Sequence, residues 1–283
     1  MIKILKNWKN NNIFSNPLVN VLIDFYYVIS ENYLASGDFD KEKYQKTLRK
    51  LNDTISNINI SDTLDNQKQK SLKSMIIQET ALDLTRRGKE AQSDINKINL
   101  LFDESLKLKQ ECNDLVGIAI NYGSRGSFYL YTMNDYENSR HYFIKDVDLV
   151  NRMGDEGARA GLLNKLAMCD WLESENINDD NKVIELKESA FDLAYQSYKN
   201  AMFLKRETDT VFACLSIFNY SNKSKEDHLE IINSVGEEIN NKDIWDEISS
   251  PYIKNEMLKS IIGLGDKKNN PWIDSLKIKL EKK

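Results

Sequence analysis

The sequence predicts an all-α fold, an α-α superhelix of stacked helical hairpins, on three observations. Only three prolines and eleven glycines punctuate 283 residues, too few for the closely spaced turns of a sheet-rich chain. Apolar residues recur at three- and four-residue spacing through the middle of the chain. A stretch of helix-and-turn character then repeats at an offset of 41 residues (155 − 114).

From the N-terminus, residues 18–34 and 40–55 read as a first helical hairpin, and residues 57–67 as a polar linker. In residues 100–108, Leu101, Leu108 and the pair Ser105-Leu106 fall on one stripe with Lys and Glu opposite. Tyr142, Phe143, Val147 and Val150 do the same further on. So do Val183, Leu186, Ala190, Leu193, Ala194 and Tyr198. Such a stripe is what a helix buries against its neighbours. Residues 225–240 and 252–264 continue as amphipathic helices. Gly263-Leu264-Gly265-Asp266 and Asn269-Asn270-Pro271 break the chain before a short last helix. The expected organisation is a capping hairpin in residues 1–60, repeats in 68–222 and a helical cap in 223–283, in one continuous domain.

The repetition is specific. Residues 110–127 read QECNDLVGIAINYGSRGS and residues 151–168 read NRMGDEGARAGLLNKLAM. Placing Asp114 on Asp155 gives an offset of 41 (155 − 114) and sets Gly117 on Ala158 and Ala119 on Ala160. A third copy is expected near Asp209, at an offset of 54 (209 − 155), the excess lying in the polar insertion at residues 173–181. Each Asp is suited to cap the next helix by accepting a backbone N–H. Small residues one turn later let helices approach closely. A lone hairpin cannot bury its own stripe, so neighbours must stack.

Within residues 128–146, FYLYTMNDYENSRHYFIKD, the turn Asn134-Asp135-Tyr136-Glu137 resembles the "GDYE" inter-helix turn of tetratricopeptide repeats. Ser139 takes that family's small position and Phe143 its following aromatic one, while Ser127 and Leu130 fit the small and bulky positions of the first helix. Asn134 replaces the usual Gly, and Asn tolerates the left-handed conformation. Gly37-Asp38-Phe39 and Gly88-Lys89-Glu90 resemble the same turn. The resemblance covers residues 70–220 and implies a right-handed solenoid with a concave groove lined by the first helix of each hairpin. The unit exceeds the usual 34 residues, so longer helices are expected.

Composition narrows the function. Net charge is −5, and the basic clusters Arg86-Arg87 with Lys89 and residues 277–283 are short and mixed with acids, which argues against direct nucleic-acid binding. Cys112, Cys169 and Cys214 are odd in number with no CxxC pair. They read as small core residues in a reducing compartment, the cytoplasm. Lys3, Lys6 and Lys9 before an apolar run resemble a leader, but Asn20 and Asp24 interrupt that run. No stretch of about 20 apolar residues suggests a membrane span. His141 and His228 lack a second His three or four residues away, so no metal site is expected. Gly123-Ser124-Arg125-Gly126 has no following Lys-Ser/Thr, so it is read as a close-packing stretch of helix rather than a phosphate loop. Asp179-Asp180 with Glu185 does not match the spacing of acidic diphosphate motifs and reads as an acidic loop. No cofactor and no catalytic residue is expected.

What remains is a groove that holds a protein or peptide. By the resemblance, its candidates are Asn121, Ser124, Arg125, Phe128 and Tyr131, then Asn164 and Lys165 with Cys169, then Asn219 and Tyr220. Asn bonds both donors and acceptors of an extended backbone. Arg and Lys hold carboxylates, and aromatics supply anchor area. The competing expectation is a regulatory receptor that changes pitch on binding a signal peptide, similar to Rap-type receptors. A helical-bundle enzyme is disfavoured by the missing His pairs and loop motifs.

Overall fold

The computed structural model describes residues 2–11, 16–34, 41–60, 63–86, 93–221, 225–240, 251–264 and 271–281. Among them are thirteen α-helices, one π-helical turn and no strand. Gly37-Asp38-Phe39, Gly88-Lys89-Glu90, Gly265-Asp266 and Asn269-Asn270 lie outside the described residues. The chain divides into two compact units, Met1–Asn134 and Asp135–Lys283.

The first unit holds α1 (Ile2–Asn11), α2 (Pro17–Leu34), α3 (Lys41–Ser56), α4 (Thr63–Thr85), α5 (Ile95–Glu111), α6 (Leu115–Phe128) and the π turn Tyr129–Met133. Each helix packs on the next in sequence from α1 to α4, and again from α4 through α5 to α6. Alternate helices also touch, α2 with α4 and α4 with α6, so they form one layer and α3 and α5 a second. Leu18, Val21, Phe25 and Val28 of α2 meet Tyr44, Leu48, Leu51 and Ile55 of α3 and Leu72 and Ile76 of α4. Their three- and four-residue spacing is the stripe that makes each segment helical on folding. The linker expected at residues 57–67 is shorter, because α4 already begins at Thr63.

The stripe of α5 is turned from the expected one. Ile98, Phe102, Ser105 and Lys109 point inward, while Leu101 and Leu108 are half-buried and Leu100 lies 69% exposed. Ser105 and Lys109 are drawn in by polar partners on α4. The Ser105 hydroxyl donates to the Ser74 carbonyl at 2.9 Å, and the Lys109 ammonium donates to the Gln78 side chain, whose amide reaches the Ser124 hydroxyl at 3.4 Å. Burial lowers the Lys109 pKa to about 8. A lysine that buries its charged end inside the bundle is invisible to a pattern that counts lysine as polar.

The second unit holds α7 (Tyr136–Met153), α8 (Glu156–Ser174), α9 (Asp180–Phe203), α10 (Glu207–Tyr220), α11 (Glu226–Asn240), α12 (Pro251–Leu264) and α13 (Pro271–Glu281). Here α8, α10 and α12 touch in succession, α7 lies on α8, and α9 lies on both α8 and α10. The core runs from Ala190, Phe191, Ala194 and Tyr198 of α9 through Val211, Cys214 and Ile217 of α10 to Trp272 and Leu276 of α13. Gly236 of α11 is a close-approach glycine, because a Cβ there would lie 2.5 Å from the Trp272 ring. Cys169 and Cys214 are core residues, whereas Cys112 is only half-buried, at the end of α5.

One turn geometry recurs. Asn113, Gly154 and Lys205 adopt left-handed backbone, with φ of 54°, 71° and 55°. In each case the amide of the following residue bonds back five residues: Asp114 to Lys109, Asp155 to Val150 and Arg206 to Ala201, at 2.9, 3.1 and 2.9 Å. That is the six-to-one closure of a Schellman turn. The residue after the left-handed one then starts the next helix. Asp114 accepts from the Gly117 amide at 2.8 Å and Asp155 from Ala158 at 3.0 Å. The 41-residue offset thus joins two identical turns. The third copy is corrected: its cap position is Arg206, at an offset of 51 (206 − 155), and Asp209 lies inside α10, bonded to the Arg206 side chain. With no Asp at the cap itself, the sequence directs the eye three residues too far.

Between α6 and α7 the turn expected at residues 134–137 forms with Asn134 at φ 52° and Asp135 capping Asn138 at 3.0 Å. Ser139 and Phe143 are fully buried, with the Ser139 hydroxyl 3.2 Å from the Cys169 sulfur.

Candidate functional site

The layer formed by α4 and α6 leaves one face of α6 open. Its inner side carries Ile118, Asn121, Arg125 and Phe128, spaced three and four residues apart. Asn121 is 0% exposed and donates to the Phe102 carbonyl at 3.1 Å. Arg125 is buried and donates to Asp103 and, at 3.0 Å, to Asn99, which also accepts from the Tyr129 hydroxyl at 3.1 Å. Phe128 packs 6.5 Å from the Phe102 ring. Of the expected groove residues, Asn121, Arg125 and Phe128 therefore face the interior. Gly117, Gly123 and Gly126 are buried on the same helix, and Asn121 and Arg125 bond across to α5.

Ser124 is half-buried and Tyr131 is 57% exposed. Sequence reasoning missed the residues that accompany them. Val116 is 62% and Ile120 54% exposed, and with Ser124, Ser127 and Tyr131 they follow one another at spacings of four, four, three and four. The signal was present: Leu115-Val116, Ile118 and Ile120 give α6 more apolar residues than one buried face needs. Tyr131 sits in the π turn, an irregularity that is frequent where a helix presents function.

The corresponding helices of the second unit are α8 and α10. On α8, Gly161, Asn164, Lys165 and Met168 are half-buried, while Ala160, Leu163, Leu166, Ala167 and Cys169 face the core. The Asn164 side-chain carbonyl is enclosed without a hydrogen-bond partner. Lys165 reaches over the Phe143 ring, at 5.5 Å from its centre. Beside it lies Asp146 of α7, 5% exposed. Burial pushes the Asp146 carboxyl up to about 7 against the pull of Lys165, and burial lowers the Lys165 ammonium. On α10, Asn219 is exposed and accepts from the Ser260 hydroxyl at 2.7 Å, and Phe212 is 40% exposed. Tyr220 is buried and stacks on Trp171 at 4.8 Å, so it too leaves the expected groove set.

A network of charges braces α8 from behind. Arg140 of α7 donates to Asp170 through Nε at 2.9 Å and Nη2 at 2.7 Å, and to Glu173 at 2.6 Å. Ser189 of α9 donates to the second Asp170 oxygen, and Lys182 pairs with Glu173 at 2.9 Å. Desolvation opposes the Arg140 charge, but bonds to Glu173 and Asp170 outweigh it.

The position of Arg125 carries a prediction. Arg125→Ala is expected to lower unfolding stability by about 1–3 kcal/mol, because Asn99 and Asp103 lose a charged donor. Chemical denaturation checks it. An unchanged midpoint would place Arg125 outside the fold's support. Loss of binding in this variant is therefore no test of a groove.

Among the described residues no helix is long and apolar enough to cross a membrane. No protein-family model matches the chain. No curated protein matches it either. It is similar to the crystal structure of a Signal Transduction ATPase with Numerous Domains (STAND) protein with a tetratricopeptide repeat sensor from Pyrococcus horikoshii. The TM-score is 0.64 at 13% identity, over 99% of this chain and 38% of that one. This chain thus spans less than half the length of the protein it matches. At such identity the likeness shows the fold alone: an all-α tandem array of helical hairpins.

Proposed function

We propose that the chain is a protein- or peptide-binding repeat scaffold, and that partner side chains seat on the open faces of its first-layer helices. The observation that carries this reading is the exposed row Val116, Ile120 and Tyr131 on a helix whose other side is packed. Apolar groups aligned on one face mark contact surfaces more often than scattered ones do. Half-buried Asn164, Lys165 and Met168 and exposed Phe212 and Asn219 offer the second unit a mixed polar and apolar face. Asn164 would bond a partner's backbone N–H through its enclosed carbonyl. Cys169 and Cys214 buried in the core and Cys112 half-buried suit a reducing, cytoplasmic setting.

Selection from a displayed peptide library tests the reading. Enriched peptides should carry apolar or aromatic anchors. They should bind Ile120→Ser/Tyr131→Ser at least about tenfold more weakly than wild type. Leu100→Ser, on α5 and more exposed than either, should leave affinity unchanged. Equal losses in both variants, or no enrichment at all, would overturn the proposal. The likeness to a repeat sensor supports a ligand-responsive version of the same reading, similar to the peptide-receptor expectation. In that version the scattering radius changes when a selected peptide binds.

A further inference from the structure

A cavity of about 210 Å³ opens in the first unit, on the side of α4 flanked by α3 and α5. It is distinct from the open face of α6. Cavities of roughly 150 Å³ already accept a benzene-sized group, so this one is large enough for an amino-acid side chain with part of its backbone. The body is aliphatic: Leu48, Ile77 and Leu84 are buried there, and Leu101 is half-buried. The helices present these residues in register. Gln45, Leu48, Arg49 and Asn52 share one face of α3, and Lys97, Leu101 and Glu104 share one face of α5. Each set is spaced at three and four residues, which projects side chains from a single helix face.

The polar lining is balanced in charge. Arg49 and Lys97 are exposed cations with no ion pair among the described residues. Glu104 is an exposed carboxylate in the same condition, and Asp83 is engaged at 2.8 Å by the Gln45 amide. The Asn52 side-chain carbonyl is enclosed and has no donor. A bare anion would meet two carboxylates, and a bare cation two basic groups. A molecule carrying both charges meets a partner for each. An enclosed amide acceptor asks for an N–H donor.

We propose that this cavity binds a small zwitterion of amino-acid or dipeptide size with an apolar side chain. Its side chain rests on Leu48, Ile77 and Leu101. Its carboxylate pairs with Arg49 or Lys97, and its nitrogen donates to Asn52 and faces Glu104.

Calorimetric titration of the full chain decides this. Leucine and leucyl-leucine are the zwitterionic probes, with N-acetyl-leucine and leucinamide as single-charge controls. Saturable binding of leucine or leucyl-leucine, weakened about tenfold or more in each control, is expected. The tighter of the two identifies a free amino acid or a peptide as the source. Arg49→Gln/Lys97→Gln should weaken the probe similarly with an unchanged thermal midpoint, whereas Ile120→Ser/Tyr131→Ser should not affect it. The proposal falls if neither probe saturates. It also falls if the controls bind as well as the zwitterions, or if the Arg49→Gln/Lys97→Gln variant binds as wild type does. Asn52→Leu, which keeps α3 intact, provides a second check, and undiminished binding there would remove the nitrogen contact and overturn the assignment.

Discussion

Asp146→Asn is expected to be more stable than the wild-type chain at pH 8, by up to about 4 kcal/mol. The carboxyl is nearly enclosed between α7 and α8, and burial holds its pKa near 7, well above the ordinary 3.8. Because the folded-state value is raised, the folded chain binds more protons than the unfolded one between about pH 4 and 7. This group's contribution to stability is therefore lost as pH rises through that window and stays lost above it. Asparagine avoids the cost of enclosing a charge. Lys165 sets the ceiling, since it loses an attractive neighbour and its own burial already disfavours its charge. Urea denaturation from pH 4 to 8 should show the variant's advantage growing with pH and vanishing at the acid end. An advantage independent of pH would mean that Asp146 does not titrate as its burial requires.

Arg140→Ala is expected to destabilise the second unit by about 3–5 kcal/mol, the range for removing one member of a buried charge network. The Asp170 and Glu173 carboxylates lie largely out of water and share this guanidinium. Alanine leaves both facing each other, with Ser189 and Lys182 as remaining partners. Arg140→Lys should recover only part of the loss, because an ammonium cannot supply the paired Nε and Nη2 donors. Glu173 is held below its ordinary pKa in spite of desolvation, by its bonds to Lys182 and Arg140. Its contribution is present above the ordinary carboxylate range and is lost as pH falls through the depressed value. The deficit of Arg140→Ala should accordingly shrink in acid. A loss below about 1 kcal/mol at neutral pH would show the network to be solvated rather than supporting.

The fold was legible because it rests on features the sequence states locally. Few Pro and Gly residues and a stripe every three or four positions predict helices. Asp114, Asp135 and Asp155 mark three of the helix starts directly. The start at Arg206 escaped because its turn closes through backbone alone, with a lysine in left-handed geometry. The candidate face was harder to read. Asn121 and Arg125 look like recognition residues in a list of residue types. Which side of α6 they occupy depends on Phe102 and Asn99 across the layer, and no local pattern reports that. Val116 and Ile120 look like core residues for the same reason, yet the neighbouring helix leaves them uncovered. Lys109 and Asp146 show the limit most clearly, since a charged side chain enters the interior only when distant partners or enclosing helices hold it there.

The three left-handed turns at Asn113, Gly154 and Lys205 bear on how the molecule is made. Every bond that closes them lies within six residues of chain, so none waits for a distant segment to arrive. During synthesis each corner can set while downstream residues are still inside the ribosome, and growth then proceeds by adding preformed pairs to an existing end. Local closure of this sort favours rapid assembly and keeps apolar stripes from lingering in solvent, where they would stick to other chains.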